Sequence, residues 1–125
     1  MLKLIVDENI AFADQAFNQF GKVTLLPGRK ISNSELKNAD ILIVRSITNV
    51  DENLLKNTPV KFIGTTTIGT DHIDLEYLSK NKIMFADAKG CNAYSVAEYV
   101  IAAILNLAVR FELSLKNKSI GIVGV

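Results

Sequence analysis

The sequence predicts an α/β domain built on an open parallel sheet, and three observations carry that prediction. Short apolar runs rich in Val and Ile recur about every 20 residues. Each run is continuously apolar rather than alternating, which marks a strand buried on both faces. Polar segments with helix-start signals separate the runs. Strict alternation of strand and helix, with five strands in about 90 residues, suits the flavodoxin-like order 2-1-3-4-5 with right-handed crossovers.

The strands are read in order as LKLIVD (2–7), KVTLL (22–26), ILIVRS (41–46), KFIGTT (61–66) and KIMFAD (82–87). Between them, Ser32 with Glu35 and Thr48 with Asp51 have the spacing of capping boxes. Asn92 is the expected N-cap of a long helix running to about Leu115. That helix spans roughly 33 Å at 1.5 Å per residue, enough to carry the chain out of the first sheet. A sixth run, SIGIVGV (119–125), follows it and has the pattern that opens a dinucleotide-binding βαβ unit, with Gly124 as the first glycine of an incomplete G-x-G-x-x-G. The expected organisation is a flavodoxin-like domain over 1–90, a crossover helix over 91–118, and the first strand of a Rossmann domain over 119–125.

Composition narrows the class. The 125 residues hold 14 Lys+Arg against 13 Asp+Glu, with no long run of like charge, so neither nucleic acid nor an anionic membrane is an expected partner. A lone Cys91 excludes an internal disulfide and every multi-cysteine metal motif, and no residue is assigned to a metal. The apolar stretch before the acidic residues of MLKLIVDEN is too short for a signal peptide, so a cytoplasmic setting is expected. The run Tyr99–Val109 is 11 residues long, short of the roughly 20 that a membrane span needs. It is expected to form a buried or interface helix.

Ligands of open parallel sheets bind beyond the carboxyl ends of the strands, and those positions are polar here: Asp7, Glu8 and Asn9; Arg45 and Ser46; Thr65 to His72; Asp87 to Asn92. An arginine fork beside a hydroxyl, Arg45 with Ser46, suits a carboxylate or phosphate. In TTTIGTDHID, three hydroxyls precede Gly69, where the backbone can approach a ligand closely; Asp71 or Asp74 is also placed to cap the next helix. His72, the sole histidine, reads as a surface or capping residue rather than a general base. Cys91 reads as a small packed side chain rather than a nucleophile. For Asp7 and Glu8, capping and cation binding both stay open. A phosphoacceptor receiver domain would match Asp7, Glu8, Thr65 and Lys89, but it needs an aspartate where this chain has Arg45-Ser46.

Several segments in register, LIVDENI, LPGRKI, ADILIVRSIT, KFIGTTTIGTDHID, KGCNAYSVAEYV and SIGIVGV, make the whole chain resemble the D-isomer-specific 2-hydroxyacid dehydrogenases. The resemblance is closest to the branch in vitamin B6 biosynthesis that acts on a small phosphorylated 2-hydroxy acid. It implies a two-domain, NAD-dependent enzyme of which this chain is the substrate-side part. It also implies that Ser46 and Thr67 bind substrate, with Arg45 and Gly69 as neighbours of that site. The family's catalytic arginine, glutamate and histidine would then lie outside these residues, no catalytic residue is assigned here, and His72 matches a turn motif only. The chain by itself is expected to be inactive. The competing expectation is a stand-alone binding or self-association module, and a homodimer formed by exchange of the C-terminal helix and strand suits either.

Overall fold

The computed structural model describes residues 1–123, and the chain divides into two compact units between Lys89 and Gly90. The first unit carries β1 (Leu2–Asp7), α1 (Ala13–Phe17), β2 (Gly21–Leu26), β3 (Ile41–Val44), α2 (Glu52–Leu55), β4 (Phe62–Thr65), α3 (Leu75–Lys80) and β5 (Met84–Ala86). Single 3-10 turns at Gly28–Lys30 and Glu35–Asn38 stand between β2 and β3. All five strands are parallel, in the order β2-β1-β3-β4-β5 that the sequence predicts.

The continuous apolar runs are explained by a core on each face of the sheet. Ile5, Leu42, Val44 and Ile63 point to one face and pack with Leu36, Val50, Leu54, Leu55 and Leu78. Their neighbours Leu4, Val6 and Ile43 point to the other and pack with Ala13. Successive side chains alternate between faces, so a strand with both faces covered must be apolar at every position.

Both predicted capping boxes are replaced by other bonds. The Ser32 hydroxyl bonds that of Ser34 at 2.8 Å, and only a 3-10 turn follows. Thr48 is buried and donates to the Gly28 carbonyl at 3.0 Å, leaving Asp51 to cap α2 by accepting the Leu54 N–H at 2.9 Å. A tertiary partner outcompetes a local cap where the side chain is buried. Asp74 caps α3 as expected, accepting from the Tyr77 N–H at 2.9 Å.

In the second unit, Asn92 precedes α4 (Ala93–Arg110), an 18-residue helix of about 27 Å that ends before the expected Leu115. Glu112 adopts φ 52°, and the Leu113 N–H bonds the Ala108 carbonyl at 2.8 Å. This is a Schellman stop made without glycine. No residue of α4 is buried, so the expected burial is not found in this chain. With a mean hydropathy of 1.3 the helix is long and apolar enough to cross a membrane by length and composition alone. Cys91 is exposed in the turn before α4, not packed as the sequence reading had it. Ser119–Val123 forms no strand, because a strand needs a ladder partner and none of the described residues pairs with it. Gly124, the expected start of the glycine fingerprint, lies outside the described residues.

Candidate substrate site

The order β2-β1-β3-β4 places the segments after β1, β3 and β4 side by side at one end of the sheet. At the end of β1, the Asp7 side chain is fully buried. Its Oδ1 accepts the Asn9 N–H at 2.9 Å and fixes the turn that follows, while its Oδ2 has no hydrogen-bond partner. Arg45 answers that charge from the end of β3, with Nε 3.6 Å from Oδ2 and Nη1 donating to the Asn9 carbonyl at 3.4 Å. From the turn after β2, Gly28 closes over the same oxygen, where an added Cβ would come within 2.4 Å.

This geometry alters how the arginine acts. Its guanidinium is half-exposed but already neutralised by a buried carboxylate. An anion at this end of the sheet would meet an already offset charge, so the remaining guanidinium N–H groups would share the binding with nearby hydroxyls.

Those hydroxyls stand one step further out. Val44 pairs with Thr65, and the Thr66 N–H extends the ladder to the Val44 carbonyl at 3.0 Å. Ser46 and Thr67 are each two residues beyond that last paired position, on neighbouring strands. Ser46 is exposed and Thr67 half-buried. The Thr67 hydroxyl lies 2.8 Å from that of the buried Thr65 and donates to the Gly69 carbonyl at 3.3 Å. Gly69 is open: an added Cβ would meet nothing nearer than an Asp71 oxygen at 3.9 Å.

His72 is not the plain surface residue that its neighbours in sequence suggest. It is half-buried, and its Nε2 lies 3.1 Å from the Thr65 hydroxyl. Val50 holds the turn in place by donating to the His72 carbonyl at 2.8 Å and accepting from the Asp74 N–H at 2.9 Å. Burial lowers the pKa of His72 below its ordinary 6.5, against the opposing field of Asp71. The unfolded chain therefore binds a proton that the folded chain resists, so stability falls as the pH drops through 6.5 and levels off below the folded-state pKa. Urea denaturation across pH 5 to 7 should show this slope, and His72→Gln should remove it; a slope unchanged in the variant assigns it to another group.

The residues numbered 4–118 match the family model described as the D-isomer specific 2-hydroxyacid dehydrogenase catalytic domain. The chain belongs to that family. Among curated relatives, erythronate-4-phosphate dehydrogenases of Photorhabdus laumondii and Salmonella arizonae are 52% and 50% identical over 124 residues, 99% of this chain. The chain spans about a third of their length, 33% of each. Among solved structures, the dehydrogenase family includes a D-lactate dehydrogenase from Aquifex aeolicus, complexed with NAD and lactic acid, that covers 94% of this chain and 39% of its own. Its TM-score is 0.64 and its sequence identity 26%.

Ser46, Thr67, Arg45 and Gly69 thus lie at one end of the sheet in a member of the 2-hydroxyacid dehydrogenase family. The described residues of the chain hold no glycine-rich turn between a strand and a helix, so no step through NAD is derived from them. Sequence reasoning missed the Asp7–Arg45 pair and the tie between His72 and Thr65. The first is only half legible: a 2-1-3 order makes the ends of strands 1 and 3 neighbours, but the depth of Asp7 comes from the structure. The second depends on how a seven-residue turn closes, for which the sequence offers no periodic signal.

Proposed function

We propose that this chain is the substrate-side part of an erythronate-4-phosphate dehydrogenase. The complete enzyme would oxidise the 2-hydroxyl of 4-phospho-D-erythronate to a ketone, on the route to pyridoxal phosphate in the cytoplasm. The observation that carries the reading is identity of about half, over nearly the whole chain, to relatives of that name. The open cluster of Ser46, Thr67 and Gly69 supports it, because neutral hydroxyls and free backbone suit a phosphorylated hydroxy acid where Arg45 is already paired. NAD in the complete enzyme would accept the hydride. Its site and the groups that move the hydroxyl proton are assigned outside the described residues.

The test is NADH formation with 4-phosphoerythronate by the complete enzyme, which has about three times the length of this chain if it resembles its relatives, and by residues 1–125 alone. Turnover is expected only for the complete enzyme, and Ser46→Ala should raise its KM about tenfold, as loss of one hydrogen bond to a charged group implies. Oxidation of lactate or 3-phosphoglycerate in preference to 4-phosphoerythronate would overturn the branch assignment. Turnover by the 125 residues would overturn the division of labour.

The exposed apolar residues of α4, among them Val96, Val100, Ile101, Leu105 and Val109, favour a further reading. A homodimer built by exchange of this helix and the residues after it would give them cover. A monomer in sedimentation of the complete enzyme removes that reading.

A further inference from the structure

Three side chains form a continuous line at the open end of the sheet, with the buried Thr65 in the middle. His72 Nε2 lies 3.1 Å from the Thr65 hydroxyl, and that hydroxyl lies 2.8 Å from the Thr67 hydroxyl. Each threonine owns one proton, and a buried Thr65 that accepts from both neighbours would leave its own proton without a partner, so two directions of the line use every bond. If Nε2 carries a hydrogen, it donates to Thr65, Thr65 donates to Thr67, and the Thr67 proton is left for an outside acceptor. If Nε2 is bare, Thr67 donates inward to Thr65 and presents only lone pairs outward, which repel an anionic oxygen.

Thr67 has its outward acceptor in place. It donates to the Gly69 carbonyl at 3.3 Å, a long bond to an exposed group that a charged oxygen can replace with a shorter and stronger one. Thr65 is 4% exposed, so its hydroxyl cannot exchange these partners freely for water. The backbone that carries the ring is tied down: the His72 carbonyl is bonded by Val50, and Ile73 donates to the Thr70 carbonyl at 2.8 Å.

We propose that His72 is a positioning residue, which donates from Nε2 to Thr65 and thereby orders the Thr65 and Thr67 hydroxyls so that Thr67 offers its proton to an anionic oxygen of the substrate. This rests on the reading of Thr67 as a substrate contact. The charged groups around the ring are Asp71 beside it and Asp51 and Asp74 lining the same depression, and they bear on the direction only through which ring nitrogen carries the hydrogen. Both the protonated ring and the neutral ring with hydrogen on Nε2 donate to Thr65, so the position of a proton and not the net charge carries the effect.

The experiment is steady-state kinetics of the complete enzyme with 4-phosphoerythronate. His72→Phe, which removes the donor and keeps a ring, should raise KM about tenfold while kcat changes less than twofold. His72→Gln, which restores an N–H near the same place, should recover most of that loss. Thr65→Val should match His72→Phe, and the double variant should be no worse than either, because both cut one line. Equal KM values for the Phe and Gln variants overturn the proposal. Imidazole 15N shifts in the unliganded enzyme supply a second measurement that needs no variant: a hydrogen-bearing Nε2 is expected, and a bare one overturns the proposal. Thr67→Ala separates the two readings. If it leaves KM unchanged, Thr67 is no substrate contact and both fall; if it raises KM while His72→Phe does not, only the role of His72 falls.

Discussion

Replacing Arg45 by methionine is expected to cost about 1 to 3 kcal/mol of unfolding free energy, between what losing an exposed ion pair and a fully buried one costs, because Asp7 is buried and the guanidinium is half-exposed. The reason lies with its partner. Asp7 is fully buried, with one oxygen bonded to the Asn9 N–H and the other facing only the guanidinium at 3.6 Å. Methionine preserves most of the aliphatic stem but leaves a carboxylate in a dry site without a counter-charge. Urea denaturation should show a lower midpoint at an unchanged slope. Adding Asp7→Asn, which keeps an oxygen for the Asn9 N–H and removes the charge, should recover at least half of the loss. A single variant within about 0.5 kcal/mol of the parent, the range of ordinary surface changes, would mean that water reaches Asp7 and that the pair carries little.

That pair also shows what was legible in the sequence and what was not. The sheet was readable because every strand with both faces covered must be apolar throughout, as in LIV of β1 and ILIV of β3. Its order followed from the regular alternation of elements. Helix boundaries were less so: Thr48 has the spacing of a cap, yet a buried bond to the Gly28 carbonyl claims its hydroxyl. Local spacing describes what a side chain can do with its neighbours in sequence, and tertiary partners decide among the options. The site was legible to the level of loops. That Ser46 and Thr67 share one end of the sheet follows from strand order alone, whereas the pairing of Arg45 with a buried carboxylate needs the depth of Asp7, which no spacing encodes.

Gly28→Ala is expected to cost about 2 to 3 kcal/mol, as overpacking does in a site that cannot yield. An added Cβ would stand 2.4 Å from Asp7 Oδ2 and 3.0 Å from two atoms of Ile47. The Ile47 side chain is exposed enough to turn away. The carboxylate is not, because swinging it breaks the 2.9 Å bond that its other oxygen makes to the Asn9 N–H. The backbone at Gly28 has no positive φ, so alanine there would by itself stabilise the fold by reducing the freedom of the unfolded chain. Any net loss is therefore a measure of the clash. The same substitution in an Asp7→Ala background should cost less than about 0.5 kcal/mol, since the oxygen it strikes is gone and neighbouring changes do not add. An equal loss in both backgrounds would place the strain in the turn itself. In the complete enzyme, Gly28→Ala should also raise KM, because the displaced carboxylate takes Arg45 with it and Ser46 is the next residue of the chain.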